Sequence, residues 1–348
     1  MDPRGSAETS AGTDDALPVG VFDQQTEHIN GSRGAGIRNA AAPAFVRKLT
    51  LYSVLPQQAL LAQLDGGFVA HPSNKEQLRV LWERASRHYS QYGRGDRSFL
   101  ATDDIQPLEG VDPARLETLL RRVMTYPPYD THPMGVYSVR ISKLITPQLV
   151  VNLDRAERRA DSRPGMATDE LFGLAFEPAG RPEIVVRQLL GMNQNSGAII
   201  FTSYDEDIRL HHPPLFRTIP INDKDDEGAA FESICLPVGG GIPFASAFRI
   251  QCASGAHRLI LNNGIHRAYR LARAGYERCP LLVTDLIPLE LPDPFVDLPK
   301  DMLLNPQSNP PLITDFLNDN VVIPLDYYAV LKTIRLNWSF EQYVTVLR

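Results

Sequence analysis

Cysteine is scarce. The 348 residues hold three, Cys235, Cys252 and Cys279, widely spaced and without a Cys-x-x-Cys pair. That excludes a disulfide scaffold and a zinc ribbon, and it predicts reduced, mostly buried thiols in a cytoplasmic protein. Long apolar runs are also missing. No run reaches the roughly 18 residues of a membrane-spanning helix, so no membrane span is expected. The N-terminus has no charged start followed by an apolar core, so no signal peptide is expected either. There is no excess of positive charge: the net charge is −6, which argues against a DNA-binding protein that relies on bulk charge. Walker A sequences, zinc frameworks and Gly-x-Ser-x-Gly elbows are absent. The glycine run of Pro237 to Pro243 does not open a helix, so it is no dinucleotide fingerprint; it reads as a connecting loop, with a loop that covers a nucleotide as the alternative.

Proline, in contrast, is abundant at 28 residues. Each one removes a donor and pushes its predecessor toward extended geometry. The expected result is short elements joined by long ordered connections, not a helical bundle. Hydrophobic residues make up 43% and charged residues 22%, enough apolar surface for a sizeable core.

The texture divides the chain. Residues 1–42 are small and polar and read as a disordered tail. Residues 43–134 read as a helical N-terminal region. One helix is predicted from about Asn74 to Tyr89, with a Ser73/Glu76 capping box and a stripe of Leu78, Leu81, Trp82, Ala85 and Tyr89. Another is predicted to start at Asp112-Pro113, with Leu116, Leu119, Leu120 and Val123 on one face. Both stripes are packing faces. Residues 135–290 carry β-branched runs that read as strands, with a mixed charge run at Asp154–Arg163 that reads as a solvated turn or short helix. Residues 291–348 read as a proline-rich arm ending in a strand pair. The fold class expected is α+β: a small mixed sheet plus a helical N-terminal region.

The best-defined stretch is Phe248 to Ile287. It parses as a strand (Phe248 to Cys252), a turn at Ser254-Gly255, a strand (His257 to Leu261), a tight connection Asn262-Asn263-Gly264, a helix (His266 to Ala274) and a strand (Pro280 to Asp285). A strand that turns at glycine straight into a helix presents unpaired amides to an anion. Gly264 permits close backbone approach. His266 and Arg267 lie in the first turn, with Arg270 one turn on, within reach of the same anion. Cations at this end oppose the helix dipole at about 0.3–1 kcal/mol each, a conflict that a bound phosphate removes. The same residues also admit a structural use, with the histidine in the core and the arginines paired to acidic neighbours such as Glu277.

This stretch, over about residues 248–285, resembles the core motif of the ParB/sulfiredoxin superfamily. Sulfiredoxins carry Gly-Cys-His-Arg here, ParB-like domains Gly-x-Arg-Arg, and free-serine kinases Asp-Gly-His-His-Arg. This chain reads Asn263-Gly264-Ile265-His266-Arg267. The resemblance implies a turn that holds the phosphates of ATP or CTP through Asn263, Gly264, Ile265, His266, Arg267 and Arg270. Two departures matter. Ile265 stands where sulfiredoxins have their cysteine, so a thiolate nucleophile is absent. Asn263 stands where the kinases have aspartate. Nothing downstream looks like a helix-turn-helix, so chromosome partitioning is not implied.

Phosphoryl transfer also needs a carboxylate and usually Mg²⁺. The nearest acidic cluster is Asp205-Glu206-Asp207, with His211-His212 close behind. Asp205 and Asp207 share a face if extended and are candidate catalytic and metal-binding residues beside His266; they also read as a solvated acidic turn. Asp223 to Glu227 reads as a surface loop. Asp130 and His132 have metal-ligand spacing but no third ligand. Two readings follow: an ATP- or CTP-dependent phosphotransferase or NTP hydrolase, or a non-catalytic nucleotide sensor or scaffold that meets a protein partner through its tail or its C-terminal arm. A nuclease is a third reading, which the acidic balance disfavours.

Overall fold

The structure is a computed structural model. It describes residues 45–67, 69, 75–91, 97–124, 129, 131–158, 163–177, 186–190, 196–203, 208–210, 215–220, 230–235, 238–239 and 244–339. The tail read from residues 1–42 lies outside them, as do Ser73, Asp130, Asp205, Glu206, Asp207, His211, His212, the Asp223 to Glu227 run and most of the Pro237 to Pro243 run.

The fold is α+β with a mixed sheet. That sheet has six strands in the order Ile105–Pro107, Met134–Arg140, Arg278–Leu286, Ser246–Gln251, His257–Asn263, Leu144–Ile145. Ser246–Gln251 runs antiparallel to His257–Asn263 and parallel to Arg278–Leu286. The predicted order of strand, turn, strand, helix and strand is thus observed. The helix Ile265–Arg273 carries the chain from one side of Ser246–Gln251 to the other. The central strands are apolar on both faces: Ala247, Ile250, Leu259, Ile260, Leu281 and Leu282 are all buried. A sheet buried on both sides requires such continuous apolar runs.

A second sheet joins distant parts of the chain. Phe45–Thr50 pairs antiparallel with Ile323–Tyr328 on one side and with Val150–Asn152 on the other. Ile323–Tyr328 alternates strictly, burying Ile323, Leu325 and Tyr327, which is the period-two signature of a half-buried strand. The last described strand, Lys332–Ser339, pairs with Ser196–Ser203, which also pairs with Val186–Leu190; the segment expected to pair with it at the C-terminus, residues 342–348, lies outside the described residues.

The helices follow their capping and spacing. In Pro113–Val123 the Asp112 carboxylate accepts from the Ala114 amide at 2.9 Å, and proline fills the first position. Such a cap contributes about 1 kcal/mol. Lys75–Gln91 buries Leu78, Ala85 and Tyr89. Trp82 packs against the core with its indole N–H shared between the carbonyls of Tyr52 and Leu55, 3.2 Å from each. The charge run near Asp154 begins as a short helix, Leu153–Arg158.

Candidate functional site

The turn at Gly264 is built from three converging segments. The strand before it ends in two asparagines, and both amide groups donate inward. Asn263 Nδ2 donates to the Phe244 carbonyl at 2.6 Å. Asn262 Nδ2 donates to the Tyr129 hydroxyl at 2.7 Å, and that hydroxyl donates to Ser246 Oγ at 2.8 Å. Burial pushes the Tyr129 phenol above its ordinary range, against the opposing pull of its bonds to Ser246 and Asn262. Its ring meets Phe244 edge-on, with centroids 5.4 Å apart.

Gly264 is the residue that caps the helix, with φ 103° and ψ 24°. L side chains rarely adopt this backbone. A Cβ here would also lie 2.8 Å from the Cβ of Ala245. The glycine is thus required twice, once by its dihedrals and once by the approach of Ala245. Its carbonyl accepts from the amides of both Arg267 and Ala268 at 2.9 Å. The amides of Ile265 and His266 come ahead of any intrahelical i→i−4 bond.

Sequence reasoning expected the side chains of His266 and Arg267 to converge on one anion. They diverge. His266 is half-buried, and its Nε2 accepts from the Asn152 amide at 3.2 Å. That bond uses the lone pair a general base would need, and it fixes the ring proton on Nδ1. Arg267 is 6% exposed and donates from Nη1 to the Ala175 carbonyl at 2.8 Å. Nη1 thus bonds main chain, where the sequence reading offered the carboxylate of Glu277. Arg270, 7% exposed, and Ile265, 4% exposed, lie in the interior.

The Ala175 carbonyl belongs to a helix that the sequence reading missed, Thr168–Phe176. Its signal was present: two acids in the first turn, with Glu170 Oε2 accepting from the Ala167 amide at 2.9 Å. That bond, with the Arg163 guanidinium beside it, holds the Glu170 carboxyl below its usual range. The C-terminal end of this helix is tied by two arginines. Ala175 O accepts from Arg267 and from the Ala245 amide, and Phe176 O accepts from Arg122 at 2.6 Å. Cations at this end suit both the unpaired carbonyls and the dipole. Gly264, Ala245, Arg267 and Ala175 together form a joint between two helices and the central sheet.

Beside this joint lies a groove of about 290 Å³ between Pro113–Val123 and Thr168–Phe176. It is lined by Leu119, Phe172, Phe176, Arg115, Arg122 and Glu177. Arg115 lies over the Phe172 ring, 5.0 Å from its centroid, and pairs with Asp169 at 2.9 Å and Glu177 at 2.6 Å.

Among the described residues, no group of three or more His, Cys, Asp or Glu side chains is arranged to hold a metal ion. Asp205 and Asp207, the carboxylates the sequence offers for Mg²⁺, fall outside those residues. His132 places Nε2 2.9 Å from Glu290 Oε1. Cys252 and Cys279 are free and buried. No helix among the described residues is long and apolar enough to cross a membrane. No family model, curated protein or solved structure matches the chain.

Proposed function

We propose that the chain works as an interaction protein in which the Gly-x-His-Arg turn is a structural joint, not a catalytic centre. One observation carries this reading. Three polar side chains of the turn are each engaged with the main chain of a different segment: Asn263 with Phe244, His266 with Asn152, and Arg267 with Ala175. A polyphosphate that drew on His266 Nε2 or Arg267 Nη1 would compete with these bonds, the second of them in the interior. The buried thiols of Cys252 and Cys279 agree with a reducing, cytoplasmic setting.

A nucleotide-binding reading has one observation in its favour. Gly264 is left-handed, and Asn263, Gly264 and His266 are all half-buried, so the start of the helix reaches the surface. In this second reading the amides of Ile265 and His266 hold the phosphates of ATP or CTP. Asp205 and Asp207 then supply Mg²⁺ ligands for a phosphotransferase or NTP hydrolase.

Thermal melts with ATP, ADP, CTP and GTP, each with and without Mg²⁺, separate the two. A ligand at a hundredfold over its dissociation constant adds about 2.7 kcal/mol of stability. An unchanged melting temperature with all four is the outcome expected. A rise with any one of them, accompanied by nucleotide turnover, overturns the interaction reading.

A further inference from the structure

Lys332–Ser339 is an outer strand of its three-stranded sheet; among the described residues no strand lies beyond it. Thr333, Arg335, Asn337 and Ser339 on this strand are exposed. Ile334 and Leu336 are half-buried, and they share the opposite face with Phe201 and Ile199, their partners across the ladder. Among the described residues this edge pairs with no further strand, and an edge of this length offers a row of main-chain donors and acceptors to another strand.

We propose that this edge pairs with the same edge of a second copy of the chain, antiparallel, about a twofold axis at Leu336. The residue pattern favours that register. Leu336 faces Leu336, Ile334 faces Trp338, Arg335 faces Asn337 and Thr333 faces Ser339. Apolar residues meet apolar ones, polar residues meet polar ones, and no two like charges are directly opposed. Moving the axis to Arg335 sets guanidinium against guanidinium. Moving it half a residue places the apolar face of one copy beside the polar face of the other. Arg335 Nε already donates to Asn337 Oδ1 of its own strand at 3.1 Å. The same amide oxygen lies opposite the second copy's arginine. Pairing joins two three-stranded sheets into one of six, with Ile199, Phe201, Ile334 and Leu336 of both copies on one continuous face. Such an isologous contact closes on itself as a dimer.

The test is sedimentation of the full chain over a range of concentrations, with two variants of one exposed residue. Asn337→Arg puts like charges opposite each other twice and is expected to weaken the dimer about tenfold or more. Asn337→Asp puts a carboxylate opposite Arg335 and is expected to tighten it. Cysteine crosslinking reads the register, in a chain that also carries Cys235→Ser. Directly opposed Cα atoms in an antiparallel pair are about 4.5–5.5 Å apart, within disulfide reach. Leu336→Cys is therefore expected to crosslink under mild oxidation, and Arg335→Cys is not. A monomer at every concentration, a dimer indifferent to both Asn337 variants, or stronger crosslinking at 335 than at 336 overturns the proposal.

Discussion

The guanidinium of Arg267 and the carbonyl of Ala175 meet at 2.8 Å in the interior, 92 positions apart in the chain. Hydrogen bonds from charged donors contribute more than neutral ones, about 1.5–3 kcal/mol. Arg267→Ala is therefore expected to lower stability by roughly 2 kcal/mol, with no nucleotide present. Urea unfolding measures this. An Arg267→Ala chain as stable as the parent would mean that the bond does not hold the joint.

Gly264 and Ala245 are coupled by space. Gly264→Ala places a methyl group 2.8 Å from the Ala245 Cβ and forces a positive φ on alanine. The expected loss is roughly 2–4 kcal/mol, part strain and part overlap. Ala245→Gly in the same chain should recover the overlap and leave the strain. A double-mutant cycle by denaturant unfolding separates the two parts; strict additivity would show that the contact contributes nothing.

Asp315 is nearly buried and accepts from Arg97 Nη1 at 2.8 Å and Nη2 at 2.7 Å, while Oδ2 also accepts from the Leu312 amide. Removing one member of such a pair strands the other. Asp315→Asn is expected to cost about 3–5 kcal/mol. Arg97→Met with Asp315→Leu is expected to cost less than Asp315→Asn alone, because no charge is left behind. Comparing the two midpoints in guanidinium chloride checks the order.

Burial pushes the Cys279 thiol up to about 12, from an ordinary value of 9.0. It also raises Cys252. Between the two Cys279 values the folded chain keeps a proton that the unfolded chain loses. Stability is thus full below the ordinary thiol range and falls as pH rises through it toward the folded value. In native buffer at pH 8, both thiols are expected to resist a thiol-reactive dye and to label on unfolding. Rapid native labelling of Cys279 would contradict its burial.

Local signals in the sequence were reliable. The Asp112-Pro113 start, the stripe of Lys75–Gln91 and the hairpin, helix and strand around Gly264 each depend on neighbours a few residues away, and each appears as read. The joint was not legible. Nothing in the spacing around Arg267 says that its partner is a main-chain oxygen near residue 175, because backbone carbonyls carry no sequence signature. The helix Thr168–Phe176 was overlooked for a related reason. Its apolar content resembles that of a buried strand, and only Asp169 and Glu170 mark its start. In the C-terminal segment the alternation of Ile323, Leu325 and Tyr327 marks a strand.

The pairing of Phe45–Thr50 with Ile323–Tyr328 sets an order of assembly. Thr50 and Ile323 are 273 positions apart. At about 5–20 residues per second of synthesis, the early strand emerges many seconds before its later neighbour exists. During that interval one side of Phe45–Thr50 has no ladder to join, and Val46 lacks part of its cover. Chaperone contact or aggregation of the nascent chain is most consequential in that window.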